Sequence, residues 1–284
     1  MRTGRLRCLS NHAFHEMAFT EWGDADNTRV LICAHGLTRN GRDFDSFASV
    51  LAEAYRVVCP DVVGRGRSEW LNNKEDYNYS TYCANMAALI AALQVEEVDW
   101  LGTSMGGIIG MLLAAQPNTP VRRLVLNDVG ALIPQRALED ISQYVGKDPR
   151  FDSMDEVERY LRAIHAGFGP LTDAQWAHLA RHSVRSTEDG EFALAYDPGI
   201  ADSFWPTDLA DVHLWEYWDN IRCPMLVIRG ADSDLLLPAT VAEMQQRGPP
   251  MELVELPGVG HAPALMADDQ IDIVKDWLLT DRVS

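Results

Sequence analysis

Short, almost unbroken apolar runs alternate along this chain with segments of helical length, and that alternation leaves few folds open. The runs Arg29 to His35, Arg56 to Asp61, Val98 to Ser104 and Arg122 to Asp128 are near-continuously apolar. A sheet with one wet face would show alternation instead, so these strands are expected to be covered on both sides by the helices that connect them in parallel. Helices are predicted at about Phe44 to Ala54, at Thr81 to Leu93 behind a Ser80 cap, and at Met105 to Gln116, where Pro117 stops the last. Leu6 to Ser10 and Glu16 to Trp22 are separated only by a turn, which predicts an antiparallel start to the sheet. The pattern resumes at Pro224 to Gly230 and Glu252 to Leu256, with helices near Ala239 to Arg247 and Asp268 to Leu279. The fold class is therefore α/β, a mostly parallel eight-stranded sheet with helices on both faces.

Between 134 and 206 the rhythm changes to helices without intervening strands, with capping-box signals at Ser153/Glu156 and Thr172/Gln175. This reads as a helical lid inserted into a core formed by 1–133 and 207–284. Such an insertion lies at the carboxyl ends of the strands, where open parallel sheets bind ligands. Its aromatic residues, among them Phe151, Tyr160, Phe168, Trp176, Phe204 and Trp205, predict a partly apolar pocket above a packed lid core.

Composition narrows the partners. A formal charge of −18, from 24 Lys and Arg against 42 Asp and Glu, disfavours nucleic acid and anionic membrane surfaces. The longest apolar runs, such as Ile108 to Ala115, are far short of a bilayer span, and the N-terminal residues lack the apolar stretch of a secretory signal. The five cysteines are odd in number and scattered in apolar segments, as core residues of a reducing compartment would be. A cytoplasmic protein with no disulfide framework is expected.

The chemistry is concentrated at Gly102-Thr103-Ser104-Met105-Gly106, a G-x-S-x-G placed where a predicted strand ends and a predicted helix begins. The tight turn lifts the serine hydroxyl above the sheet, and side chains at the flanking glycines would collide with it. The helix start aims the Met105 N–H at the same place, where it can bind an oxyanion. His35-Gly36-Leu37-Thr38 ends another strand, and there the Leu37 N–H is the second candidate donor, with His35 structural. His261 follows Gly258-Val259-Gly260 after the last strand, on a loop able to reach the sheet top, and is the candidate base. His178 and His182 have the i, i+4 spacing of metal ligands, but no third ligand follows them and a helix face is the expected reading. Neither G-x-G-x-x-G nor G-x-x-x-x-G-K-[ST] is present around Gly64 or Gly102, so no phosphate cradle is expected.

Over essentially its whole length the chain resembles the α/β-hydrolases of the esterase and C–C-hydrolase group. Beside the serine turn and His35-Gly36, the stretch Asp61-Val62-Val63-Gly64-Arg65-Gly66-Arg67-Ser68 is similar to that family's D-x-x-G-x-G-x-S turn, which is structural there. The resemblance implies an acid between Ser104 and His261. Most members place it at the third residue after the glycine closing the seventh strand, a position held here by Ser233 between Asp232 and Asp234. Some relatives place it after the sixth strand, where Asp128 stands. Asp128 is preferred, with Asp232 and Asp234 as the alternatives.

The reaction implied is hydrolysis of a small carboxylic ester or related acyl compound through an acyl-enzyme on Ser104, with no metal or organic cofactor. The partner would be a small-molecule acyl substrate. A meta-cleavage-type C–C hydrolase using the same triad is the alternative, and a non-catalytic ligand sensor on the same fold is a reading of a different class. Serine at 104 argues against relatives that use an aspartate nucleophile, the haloalkane dehalogenases and epoxide hydrolases.

Overall fold

Residues that are apolar in unbroken runs must be buried on both faces, and the central strands are. In the computed structural model, which describes residues 1–204 and 209–280, eight strands form one sheet: β1 (Arg2–Leu9), β2 (Phe14–Trp22), β3 (Val30–Ala34), β4 (Arg56–Pro60), β5 (Val98–Thr103), β6 (Val121–Asn127), β7 (Met225–Gly230) and β8 (Met251–Leu256). Their spatial order is β1, β2, β4, β3, β5, β6, β7, β8. β1 with β2 and β2 with β4 pair antiparallel; the other neighbours are parallel. Alternate residues of β3 serve two cores, Val30, Ile32 and Ala34 on one face and Leu31 and Cys33 on the other. The first face is covered by α2 (Tyr79–Leu93) and α3 (Met105–Ala114), the second by α1 (Asp45–Leu51) and α10 (Asp268–Leu279). The chain leaves β3 in one direction and returns across it to β5, so the loops after β3 and β5 part from each other and open a crevice.

Local chemistry shifts several predicted boundaries. β1 begins at Arg2, because its charged, exposed positions still form a continuous ladder with β2 from Arg2↔Glu21 to Leu9↔Phe14. The cap of α2 is Asn78, whose side chain accepts from the Thr81 N–H at 3.0 Å, rather than Ser80, which lies inside the helix. The stretch before α1 is a 3-10 turn, Gly41–Phe44, and the helix ends at Leu51, ahead of the predicted Ala54.

The inserted segment holds α4 (Gln135–Ser142), α5 (Met154–Ile164), α6 (Asp173–His182) and α7 (Ile200–Phe204). It also contains strands, against the expectation of helices alone: Arg150–Phe151, Phe192–Leu194 and Val184–Ser186 make a small antiparallel sheet. Strands of two or three residues are too short to show alternation. Leu132–Ile133 pairs with Val212–His213 at the neck of the insertion; the 206–207 junction lies outside the described residues. Thr172 and Gln175 cap α6 reciprocally, whereas Glu156 turns to the Asp152 N–H and leaves Ser153 to cap α5 alone. Phe151 and Tyr160 pack together at 5.2 Å, and Phe168 stacks on Trp176 at 6.4 Å. Trp205 and the Phe204 side chain lie outside the described residues. Two short helices of the core follow, α8 (Trp215–Trp218) and α9 (Pro238–Gln246). All five cysteines are free, and among the described residues no helix is long and apolar enough to cross a membrane.

Candidate active site

Ser104 sits between β5 and α3 with φ 50° and ψ −114°, a backbone conformation that L-residues rarely adopt. The neighbouring strand fixes it: the Ser104 N–H donates to Asn127 O at 3.0 Å, and the Ser104 carbonyl accepts from Gly107 and Ile108 at the start of α3. The flanking glycines are required by contact. A Cβ on Gly102 would lie 2.3 Å from Gly106 O, and one on Gly106 would lie 2.1 Å from Ala34 O.

The structure brings His261 to this hydroxyl, its Nε2 3.0 Å from Ser104 Oγ. On the other side of the ring, Nδ1 lies 2.6 Å from Asp128 Oδ2. Asp128 is wholly buried, and its Oδ1 accepts the Gly230 N–H at 2.9 Å while Oδ2 also accepts the Ser233 hydroxyl at 2.6 Å. Asp232 and Asp234, the alternatives, are exposed on either side of Ser233 and do not bond His261. The turn after Gly230 points Ser233 inward as a donor to the acid. Asn127 steadies the other half of the arrangement, its amide donating to Pro263 O at 2.8 Å on the loop that carries His261.

Leu37 lines the same cavity as Ser104, and Met105 is the first residue of α3. Among the described residues neither backbone N–H has an acceptor, so both are free to bind one. Gly36 keeps the space above the serine open, since a Cβ there would stand 4.0 Å from Ser104 Cβ. His35 is structural: its Nε2 accepts the Val62 N–H at 2.9 Å, its Nδ1 faces Gly36 O at 2.7 Å, and burial pushes its pKa down to about 4.

Sequence reasoning missed Arg65. This guanidinium is fully buried beneath both candidate oxyanion residues, with Nε donating to Leu37 O at 2.9 Å and Nη2 lying 3.6 Å from Met105 Sδ. Val63 O and the Tyr82 hydroxyl take Nη1, and no carboxylate among the described residues pairs with it. Its only sequence signal is its place between Gly64 and Gly66 of the turn, which does not tell a buried arginine from an exposed one.

The inserted segment closes over this site through hydrogen bonds to the core. Gly66 donates to Ala195 O at 2.7 Å, Asp197 to Gly64 O at 2.8 Å, Arg39 Nη1 to Ser183 Oγ at 2.8 Å, and Gly260 to Gly167 O at 2.8 Å. The cavity between cap and core, about 80 Å³, has Ser104, His261 and Leu37 on its core side and Ile141, His165 and Phe168 on its cap side. At roughly 10–15 Å³ per water on this scale, it holds several waters or one short acyl group.

His178 and His182 do meet a third possible metal ligand, which sequence spacing did not reveal. Asp45 of α1 joins them, the three offering ligand atoms within 4.8 Å of one another. Arg42 already pairs with Asp45, its Nε 2.8 Å from Oδ2, and His178 Nε2 lies 3.0 Å from Arg42 O. The group as it stands is a polar seam between α6 and α1.

Strand order, inserted cap and a serine on a strained turn beneath it define a class, the hydrolases of α/β fold. The chain belongs to the alpha/beta hydrolase family, whose model matches residues 31–273. It is 50% identical over 284 aligned residues to a 3-hydroxybutyrate-oligomer hydrolase of Cupriavidus necator, covering 97% of each chain. Among solved structures it is similar to a Rickettsia typhi protein, with TM-score 0.93, 35% identity and coverage of 99% of this chain and 100% of the other. An alpha/beta hydrolase from Novosphingobium aromaticivorans superposes with TM-score 0.84 at 33% identity, covering 97% and 98%.

Proposed function

We propose that this protein is a serine esterase that cleaves short carboxylic esters, 3-hydroxybutyrate oligomers in particular, through an acyl-enzyme on Ser104. The observation that carries the reading is the unbroken hydrogen-bonded path from Ser104 Oγ through His261 to Asp128, with steps of 3.0 and 2.6 Å. The half-identical relative that acts on 3-hydroxybutyrate oligomers supports the substrate class, and a cavity with room for one short acyl group suits it.

In this mechanism His261 Nε2 takes the hydroxyl proton as Ser104 Oγ attacks the ester carbonyl. Asp128 keeps the proton of Nδ1 on the far side of the ring and offsets the positive charge the ring acquires. The Leu37 and Met105 N–H groups hold the oxyanion, each donor contributing about 3 kcal/mol of barrier lowering. His261 then protonates the departing alkoxide, the acyl group stays on Ser104, and a water deprotonated by His261 releases it as the acid.

The test is release of free 3-hydroxybutyrate from its linear dimer and trimer, together with labelling by a fluorophosphonate. Wild type should do both, and Ser104→Ala should do neither, with turnover reduced by about 10⁴-fold or more. Failure to cleave the oligomers, alongside turnover of a vinylogous diketone, would overturn the ester reading in favour of C–C hydrolysis.

A further inference from the structure

Several polar side chains that the proposed mechanism does not use line the cavity, Thr38, Arg39, Asp43, Thr103, Tyr144 and His165 among them, and His165 is the one set in its cap wall by a stacked ring. His165 follows α5 on the cap, is only 7% exposed and lines the cavity with Ser104 and His261. Its ring lies flat on Phe168, with centroids 4.4 Å apart and planes 14° from parallel. Backbone bonds on both sides fix it: the His165 N–H donates to Leu161 O at 2.9 Å, and its carbonyl accepts from Phe168 at 3.0 Å. The same short segment is tied to the His261 loop through Gly260 to Gly167 O at 2.8 Å and Ala264 to Phe168 O at 3.3 Å. Among the described residues neither ring nitrogen of His165 has a hydrogen-bond partner. A ring nitrogen that meets no protein partner and is reached from a cavity points to a ligand or ordered water that completes it.

The chemistry of that ligand follows from charge. Burial, with Arg39 and His261 nearby, holds the His165 pKa well below the ordinary imidazole value, so the ring is neutral. A neutral imidazole offers one N–H donor and one acceptor, the pair that a hydroxyl engages. A carboxylate would want a cation, and the one beside it is taken: Arg39 holds Asp43 at 2.8 and 2.7 Å and Ser183 at 2.8 Å. The neighbouring cavity wall is mostly apolar, with Ile141, Ile164 and Leu179, and adds the phenol of Tyr144.

We infer that His165 is the binding group for the 3-hydroxyl of a 3-hydroxyacyl unit held on or entering Ser104, and so selects hydroxyacyl over plain acyl esters. The inference rests on the esterase reading and deepens it. In a linear 3-hydroxybutyrate oligomer the free hydroxyl lies at the acyl end and the free carboxylate at the alcohol end, so a hydroxyl subsite belongs to the acyl side of the scissile bond.

The experiment compares kcat/KM for methyl 3-hydroxybutyrate and methyl butyrate on wild type, His165→Phe and His165→Asn, with His165→Leu replacing the phenylalanine variant if that does not fold. Wild type should prefer the hydroxy ester. His165→Phe should lower kcat/KM for that ester about tenfold and leave methyl butyrate within about twofold. His165→Asn, which keeps a donor and an acceptor, should recover part of the preference. The ratio is taken within each variant, so loss of folded enzyme cancels from it. A ratio that stays at the wild-type value in the apolar variant overturns the assignment of His165 alone. A wild type that cleaves neither ester overturns the esterase reading and this assignment with it.

Discussion

Asp128 reaches His261 because the backbone turns left-handed at the end of β6, with φ 56°, a conformation aspartate tolerates better than most residues. Its two oxygens are then filled by Gly230, Ser233 and His261. Asp128→Asn would place an amide where an N–H acceptor is required and disfavour the tautomer that leaves Nε2 free for Ser104. Turnover of methyl butyrate should fall by about 10⁴-fold, while Asp232→Asn and Asp234→Asn stay near wild type in the same assay. Arg65 makes a second case at this scale. It holds the carbonyl of Leu37 and contacts Met105, so Arg65→Met should loosen both proposed oxyanion donors. We expect kcat to drop about 10- to 100-fold with little change in KM, in a variant whose far-ultraviolet circular dichroism matches wild type.

At the ends of β3 and β5, the glycines divide into those the fold needs and one the substrate needs. Gly106→Ala would drive a Cβ to 2.1 Å from Ala34 O, so α3 and β3 must part; a loss of about 3 kcal/mol in urea unfolding is expected. Gly36→Ala meets nothing closer than 3.7 Å. That variant should unfold like wild type yet lose about tenfold or more in kcat/KM, because the methyl occupies room above the serine. The same contrast explains what the sequence discloses. The serine turn is legible because the glycines, the strand before it and the helix after it are contiguous. The central strands are legible because double burial leaves continuous apolar runs. The acid is not, since the choice between Asp128 and the Asp232/Asp234 pair depends on how two loops from β6 and β7 meet in space. Nor are the cap strands, whose two or three residues carry no period, or the meeting of Asp45 with His178 and His182, which are more than a hundred positions apart.

For the molecule as a whole, the response to acid depends on imidazoles that folding keeps neutral. Most carboxylates, the source of the −18 charge, remain ionised down to about pH 5, so the interval from pH 7 to 5 isolates the histidines. His35 links the end of β3 to the turn at Val62, and burial lowers its pKa from 6.5 to about 4. Below pH 6.5 the unfolded chain takes up a proton that the folded chain refuses until near pH 4. The stability contributed by this group is therefore complete above pH 6.5 and is lost as pH falls toward 4, about 2 kcal/mol of it by pH 5. Burial shifts His165 and the half-buried His182 in the same direction. The carboxyl of Asp61 works the other way: burial raises its pKa, so the folded chain binds that proton more readily than the unfolded chain does. Urea unfolding at pH 7 and pH 5 should show wild type less stable at pH 5 by at least about 2 kcal/mol. In His35→Gln, which keeps an acceptor for the Val62 N–H but no titratable ring, that difference should shrink by about 2 kcal/mol. An unchanged pH dependence in this variant would mean that the acid sensitivity arises elsewhere than at the strand end beside the active site.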